Sequence, residues 1–242
     1  MEKFDNIFLE KKEKFVFDKE VAGVFDNMIS RSIPGYEIFL KLTGLVSKNF
    51  IKDKDICYDF GASLLKSTKS VIEANKMKNF KVIAVDNSEA MSLKVKPIIL
   101  DLKQRYSNID INFLVSDVCD IKINKFSFGI LNFILQFLPK NKKLEFLKNI
   151  FNGLEDGGGI ILSEKIIFEN ENLKDFYTNL YFSYKKSNGY SDAEIKNKKE
   201  ALKGILIPES LDFHIERLKN IGFTEIRILI QILNFVSILA IK

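Results

Sequence analysis

The sequence predicts an α/β fold, an open and mostly parallel sheet with helices on both faces, and three observations carry that prediction. Short apolar runs alternate with helical patterns from residue 56 onward. Two of these runs, Ile56-Cys57-Tyr58-Asp59-Phe60 and Lys81-Val82-Ile83-Ala84-Val85-Asp86, carry an acid at the carboxyl end, spaced like the first two strands of a nucleotide-binding βαβ unit. The chain closes on two strand-like runs, Phe223 to Ile230 and Asn234 to Ile241, the usual antiparallel finish to an otherwise parallel sheet.

Composition sets the outer bounds. The 242 residues suffice for one large domain, and nothing in them suggests a second. Apolar residues make up 46% and charged residues 29%, mixed in sign, which excludes a disordered chain. The net charge of +5 is modest, and its lysines are interleaved with glutamate and aspartate, so an anionic partner is permitted and nucleic acid is not demanded. Cys57 lies inside the first strand and Cys119 just after the third, with neither the number nor the spacing of a metal site or disulfide framework. A reducing compartment follows. With no charged start leading into an apolar run and cleavage site, and no apolar span near ~20 residues, the expected location is cytoplasmic.

Residues 1–50 carry helical periodicity through Phe15, Phe17, Val21, Val24, Phe25, Met28 and Ile29, broken where Pro34 and Gly35 force a turn. This segment is either a lid with Tyr36 at the pocket edge or a helix-turn-helix corner whose tyrosine caps the core. The first strand then delivers Asp59 to the crevice at the carboxyl edge, where such sheets bind ligands, and Gly61 allows close backbone approach. Ser63 is expected to open the next helix by capping a free amide. Leu64 and Leu65 stand where a dinucleotide site needs bare backbone, which argues against NAD or ATP and leaves a nucleoside without a phosphate chain, such as S-adenosylmethionine. Asp86, ending the second strand, is placed to take two ribose hydroxyls; Asn87-Ser88 lead into the helix holding Met91.

The third strand, Ile111 to Val115, brings Ser116-Asp117-Val118 to the same edge. An acid followed by an apolar residue suits an adenine, although Asp117 equally suits a cap for the next turn. The fourth strand, Phe126 to Phe133, puts Asn132 beside the switch point, where its amide either meets the amino and carboxylate groups of a methionine moiety or ties down the loop. Gly157-Gly158-Gly159 precede a strand, Ile160 to Lys165, and not a helix, so they are a turn and not a phosphate loop. A helical insertion over 166–210 follows, with Phe176, Tyr177, Tyr181, Phe182 and Tyr184, then a basic run at Lys196, Lys198 and Lys199. Aromatics at helical spacing make a core or a subunit interface, and a lysine run commonly makes a solvated face. His214 falls in a late helical pattern, where a structural role is expected.

The sum is a Rossmann-like, seven-stranded, mostly parallel sheet with an N-terminal helical segment and a helical insertion after the fifth strand. With acids after the first and second strands, it looks like the S-adenosylmethionine-dependent methyltransferase class. More specifically, Arg31-Ser32-Ile33-Pro34-Gly35-Tyr36, Tyr58-Asp59-Phe60-Gly61, Asp86-Asn87-Ser88, Leu131-Asn132-Phe133 with Leu135-Gln136-Phe137-Leu138, Leu162-Ser163-Glu164-Lys165 and Asn188-Gly189-Tyr190-Ser191 occur together and in order. In these, from about Phe17 to the C-terminus, the chain resembles the carboxy-S-adenosyl-L-methionine synthase family.

That resemblance implies a ligand site of Tyr36, Gly61, Ala62, Ser63, Asp86, Asn87, Asp117, Val118 and Asn132. It implies S-adenosyl-L-methionine as substrate, prephenate as carboxyl donor, phenylpyruvate as by-product, and a product that supplies the donor for a tRNA wobble uridine. A homodimer is also implied. From the residues themselves, no basic stripe suggests that the chain grips nucleic acid, and neither a metal nor a membrane partner is expected. Lys199 matches the position where the family usually has an arginine gripping the added carboxylate, and a lysine cannot form that two-pronged contact. Leu65 stands where the family tends to have glycine and Ala62 where cysteine is common; a bulkier residue at 65 either narrows the pocket or packs beneath it. An ordinary methyltransferase of a small molecule or RNA, and a non-catalytic nucleoside-binding subunit, are the other two readings.

Overall fold

A computed structural model describes residues 7–10 and 14–242 of the chain. The part of the helical N-terminal segment assigned to residues 1–6 and 11–13 lies outside the described residues. Parallel strands β1 (Ile56–Phe60), β2 (Phe80–Asp86), β3 (Ile109–Val115), β4 (Phe126–Asn132) and β5 (Leu154–Ile167) form most of the sheet. A two-residue β6 (Glu209–Ser210) pairs with the end of β5, and β7 (Glu225–Ile232) and β8 (Phe235–Ile241) run antiparallel at the far edge. The spatial order β3-β2-β1-β4-β5-β8-β7 gives the seven expected strands, and β6 is an addition. The chain leaves β1 in one direction for β2 and β3 and returns on its other side as β4, which opens a crevice at the carboxyl ends of β1 and β4.

The strands form because they are covered on both faces and so read as nearly continuous apolar runs. Alternation along β1 sends Tyr58 and Phe60 to one layer, with Phe126, Leu131, Phe146 and Ile160, and Cys57 to the other, with Val71, Val82, Phe128 and Ile161. Tyr58 and Phe60 stack with ring centroids 5.2 Å apart. The fifth strand starts earlier than the apolar run suggests, because the three glycines pair as strand: Gly157 N–H donates to the Lys242 carbonyl and Lys242 N–H to the Gly158 carbonyl. A Cβ at Gly159 would stand 2.7 Å from the Phe50 ring, so that glycine serves a close approach.

Helices α1 (Lys19–Ser32) and α2 (Tyr36–Ser47) precede the sheet; α3 (Lys66–Ala74), α4 (Glu89–Arg105) and α5 (Lys140–Gly153) connect its strands. The insertion is α6 (Glu171–Ser187) and α7 (Asp192–Ala201), and α8 (Leu211–Ile221) leads into β7. Their starts are chemically marked: Asp18, Ser88, Asn170 and Ser210 each accept a first-turn amide, and Ser191 with Glu194 forms a complete capping box. Gly35, with φ +72°, makes the turn between α1 and α2.

Two segments far apart in sequence lock together above the carboxyl edge. Arg31 Nε donates to the Asn188 carbonyl at 2.8 Å, and its guanidinium lies 4.1 Å from the centre of the Tyr190 ring. Tyr181 hydroxyl donates to the Ser32 carbonyl at 2.9 Å, and Lys198 Nζ to Ser32 Oγ at 2.8 Å. These contacts bind α1 to α6 and α7 and hold the insertion over the crevice.

Candidate functional site

A cavity of about 950 Å³ lies at the carboxyl ends of the parallel strands, under α1, α2, α6 and α7. That is room for a small molecule together with a second one. Tyr36, Gly61, Ala62, Ser63, Asp86, Asn87, Asp117, Val118, Asn132 and Lys199 all line it.

The loop after β1 is shaped by backbone geometry. Gly61 has φ +77°, and its N–H and that of Ala62 both donate to the Val85 carbonyl. A Cβ at Gly61 would lie 2.8 Å from Ile134, so both conformation and space require glycine. Ser63 and Leu65 also take left-handed angles, φ +46° and +61°. Asp86 receives Ser63 N–H on one oxygen and Ser88 N–H on the other, each at 2.9 Å, and so staples the first loop to the second. An ionised carboxylate accepts about four hydrogen bonds, so capacity remains toward the cavity. Burial raises its pKa, against those two amides.

The expected cap on α3 is corrected. Ser63 does not cap it: its N–H faces Asp86 and its hydroxyl lies against Met91 Sδ. Asp59 takes that role, with Oδ2 accepting from Thr68 N–H at 3.1 Å and Thr68 Oγ1 at 2.6 Å. Asp59 is therefore buried and engaged, and does not reach the cavity as its strand-end position suggested. Leu65 is fully buried beneath the loop with Ala62, Ala84 and Val95, so it packs under the pocket and does not narrow it. Leu64 lines the cavity instead.

Asp117 combines the two roles open to it, lining the cavity while Oδ1 accepts Cys119 N–H at 2.9 Å. Asn132 is engaged more fully: its amide nitrogen donates to Thr43 Oγ1 and Ser67 Oγ, and its oxygen accepts from Ser163 Oγ. It thereby ties α2, α3, β4 and β5 together at the switch point. Tyr36 is both core and edge, its ring packed with Phe39 and Phe133 while it lines the cavity. Burial, with Asp26 and Asp59 nearby, pushes its phenol strongly upward, so it is a neutral donor.

The roof is cationic. Lys199 lines the cavity with Nζ 5.7 Å from the Phe182 ring centre. Sequence reasoning missed Lys165, which extends from β5 into the same space, its ammonium 4.7 Å from the centre of the Tyr181 ring. Burial, with Lys199 adding repulsion, lowers the Lys165 pKa to about 8. It also missed Lys198, which is buried beside Ser32 and Tyr190. The available signal for Lys165 was its place in Leu162-Ser163-Glu164-Lys165. The neighbouring Glu164 points the other way and accepts Leu135 and Gln136 N–H, fixing the loop after β4. The cavity thus has Asp86 and Asp117 at the strand ends and the ammonium groups of Lys165 and Lys199 at the roof, with Glu200 beside them on the wall, an arrangement suited to a ligand with hydroxyls at one end and carboxylate at the other.

No family model matches the chain. Curated relatives do: the carboxy-S-adenosyl-L-methionine synthase of Mannheimia succiniciproducens is 38% identical over 98% of this chain and 99% of its own. That of Photobacterium profundum is 39% identical over 98% of each. Among solved structures, a putative S-adenosyl-L-methionine-dependent methyltransferase of Methanococcus maripaludis superposes with a TM-score of 0.59 at 18% identity, covering 96% of this chain and 97% of that one. Human N-acetylserotonin methyltransferase, solved with SAM, gives 0.59 at 14% identity over 93% of this chain, which spans 55% of that larger protein. These structures show a shared fold, and the full-length sequence likeness shows more: the chain belongs to the carboxy-S-adenosyl-L-methionine synthase family.

Proposed function

We propose that this protein converts S-adenosyl-L-methionine and prephenate into carboxy-S-adenosyl-L-methionine and phenylpyruvate. The observation that carries this reading is one cavity with Asp86 and Asp117 at its floor and Lys165 and Lys199 at its roof. Asp86 takes the ribose hydroxyls, Asp117 and Val118 the adenine, and Tyr36 and the Asn132 corner bound the methionine moiety. Lys199 meets the carboxylate that ends on the sulfonium.

The chemistry follows from the donor. Prephenate loses its ring carboxyl as carbon dioxide and its ring hydroxyl as hydroxide, becoming phenylpyruvate; the hydroxide takes a proton from the sulfonium methyl and leaves as water. The ylide carbon then forms a bond to carbon dioxide, giving the carboxylate product. The protein's work is positioning and exclusion of water from an ylide, which a roof of Phe17, Phe137 and Phe182 supplies. In the cell the product would serve as donor for wobble-uridine modification by a separate tRNA-binding enzyme. The chain itself pairs as a homodimer through the exposed stripe Leu173, Phe176 and Leu180 on α6.

The test is mass spectrometry of the ligand carried by the purified protein, followed by turnover. A carboxylated sulfonium, and phenylpyruvate released on adding prephenate, support the reading. Plain S-adenosyl-L-methionine with no response to prephenate favours an ordinary methyltransferase, and an empty, unreactive site favours a non-catalytic subunit. Sedimentation as a monomer would remove the dimer.

A further inference from the structure

Lys165 has no place in the site as inferred from the sequence, and its surroundings call for an anion. Its backbone is fixed twice over: β5 pairs it with Phe235 of β8, and its N–H donates to Gln136 Oε1 at 3.0 Å. The side chain is half-buried, it lies against the Tyr181 ring, and no carboxylate pairs with it among the described residues. The nearby charge that acts on it is another cation, Lys199, on the same cavity wall. Two ammonium groups facing one desolvated space repel each other until an anion enters, and its entry relieves both.

We propose that Lys165 binds the carboxyl donor: its ammonium takes the carboxylate that the donor keeps, while Lys199 takes the carboxylate that passes to the sulfonium. The inference rests on the reading of the site given above and adds a division of labour between its two lysines. A dicarboxylic donor that loses one carboxyl as carbon dioxide cannot be gripped hard by that group. An ammonium paired to it stabilises the ground state and forfeits the interaction as the charge leaves, which slows the step. The retained carboxylate stays anionic from substrate to by-product, so pairing it costs nothing at the transition state. A lysine on a sheet strand, with fixed backbone and a stem packed on an aromatic ring, is the more rigid of the two and suits that anchor. Lys199, on an inserted helix, receives the carboxylate that appears only at the end.

The experiment compares wild type with Lys165→Met, Lys165→Gln and Lys165→Arg, and with Lys199→Met, for turnover of prephenate, inhibition by phenylpyruvate and binding of carboxy-S-adenosyl-L-methionine. Phenylpyruvate is the informative probe because it carries only the retained carboxylate. Loss of one charge-assisted pair in a desolvated site predicts about a 10- to 100-fold rise in the KM for prephenate and the Ki for phenylpyruvate in Lys165→Met and Lys165→Gln. Affinity for the carboxylated nucleoside should stay within about threefold, which also shows that the variants fold, and Lys165→Arg should recover much of the loss. Lys199→Met should show the reverse split. An active wild type whose Lys165→Met and Lys165→Gln variants keep the same KM and Ki overturns the assignment of Lys165 alone. A wild type that neither consumes prephenate nor binds phenylpyruvate removes the reading of the whole site, and this inference with it.

Discussion

Leu65 gives the sharpest physical test, because at this position shape and conformation oppose each other. Its φ of +61° belongs to the region that costs an L-residue with a side chain about 1–2 kcal/mol, while its side chain is fully buried against Ala62, Ala84 and Val95. Truncation to alanine keeps the conformational penalty and loses the packing, a destabilisation of about 2–5 kcal/mol. Truncation to glycine relieves the penalty but loses the buried β-carbon as well, about 0.8 kcal/mol, and adds about 0.5–1 kcal/mol of chain entropy in the unfolded state. Leu65→Gly should therefore match Leu65→Ala to within about 0.5 kcal/mol, whereas at an ordinary buried leucine glycine falls below alanine by more than about 1 kcal/mol. Both should remain less stable than the parent, because packing outweighs strain. Urea unfolding followed by far-ultraviolet circular dichroism measures this, with equal m values required for comparison. Since Leu65 lies beneath the loop and off the cavity, calorimetric affinity for S-adenosyl-L-methionine should change less than threefold in variants that remain folded. Glycine proving less stable than alanine by more than about 1 kcal/mol, or either variant shifting ligand affinity beyond tenfold, would refute the placement of this side chain.

Three further outcomes follow from particular groups. Lys199→Arg should tighten carboxy-S-adenosyl-L-methionine by about tenfold through two parallel bonds, measured by titration calorimetry, and an unchanged affinity removes Lys199 from the carboxylate site. Burial raises the Asp59 pKa to about 7 against its bonds from Thr68, so the folded state holds a proton that the unfolded state releases near the ordinary value of 3.8. Its contribution is present below that lower value and is lost as pH rises through about 7, so Asp59→Asn should flatten the dependence of unfolding free energy between pH 4 and 7, and an unaltered slope counts against it. His214 is buried, with neither ring nitrogen partnered among the described residues, and its pKa is lowered to about 4 by burial and by Arg217. The unfolded state therefore binds the proton first, and stability is lost as pH falls from 6.5 through about 4. His214→Leu should remove that acid-side loss and add about 1–2 kcal/mol at pH 7, whereas a less stable variant would show that the imidazole has a partner.

The sheet was legible because parallel strands covered on both faces declare themselves as apolar runs, and the antiparallel finish declares itself by its short turn. The floor of the cavity was legible for a related reason: residues that leave a parallel strand at its carboxyl end have one crevice to enter, so Gly61, Asp86 and Asp117 could be placed from strand ends alone. Asp59 was misjudged because its strand-end position suggests the cavity, while its true partner, Thr68, lies nine residues on and is reached only after the loop doubles back. The same contact explains the misplaced cap, since local spacing favours Ser63 and the fold supplies an acceptor from the preceding strand. Lys165 and Lys198 were illegible as site residues because charge patterning reports a lysine's sequence neighbours, whereas the direction of Lys165 is set by its register on β5 and that of Lys198 by how the insertion docks.

That docking ties two segments distant in sequence, Arg31-Ser32 and Asn188-Gly189-Tyr190-Ser191, to one another. Arg31 bonds the Asn188 carbonyl and covers Tyr190, and Gly189, with φ +84°, turns the chain so that this is possible; a Cβ there would lie 3.5 Å from the Arg31 guanidinium. Ser191 and Glu194 then start α7 with a capping box, which fixes where the helix begins and hence the rotation of every residue on it. Successive helical residues differ by about 100°, so when Lys198 is held against Ser32 and Tyr190, the direction of Lys199 is determined as well. The backbone thus aims position 199 at the cavity whatever cation stands there. On the role proposed for this position, exchange between lysine and arginine at 199 would change the grip on a carboxylate from a point charge to a fork without changing where it is applied, because the roof that carries it stays in place.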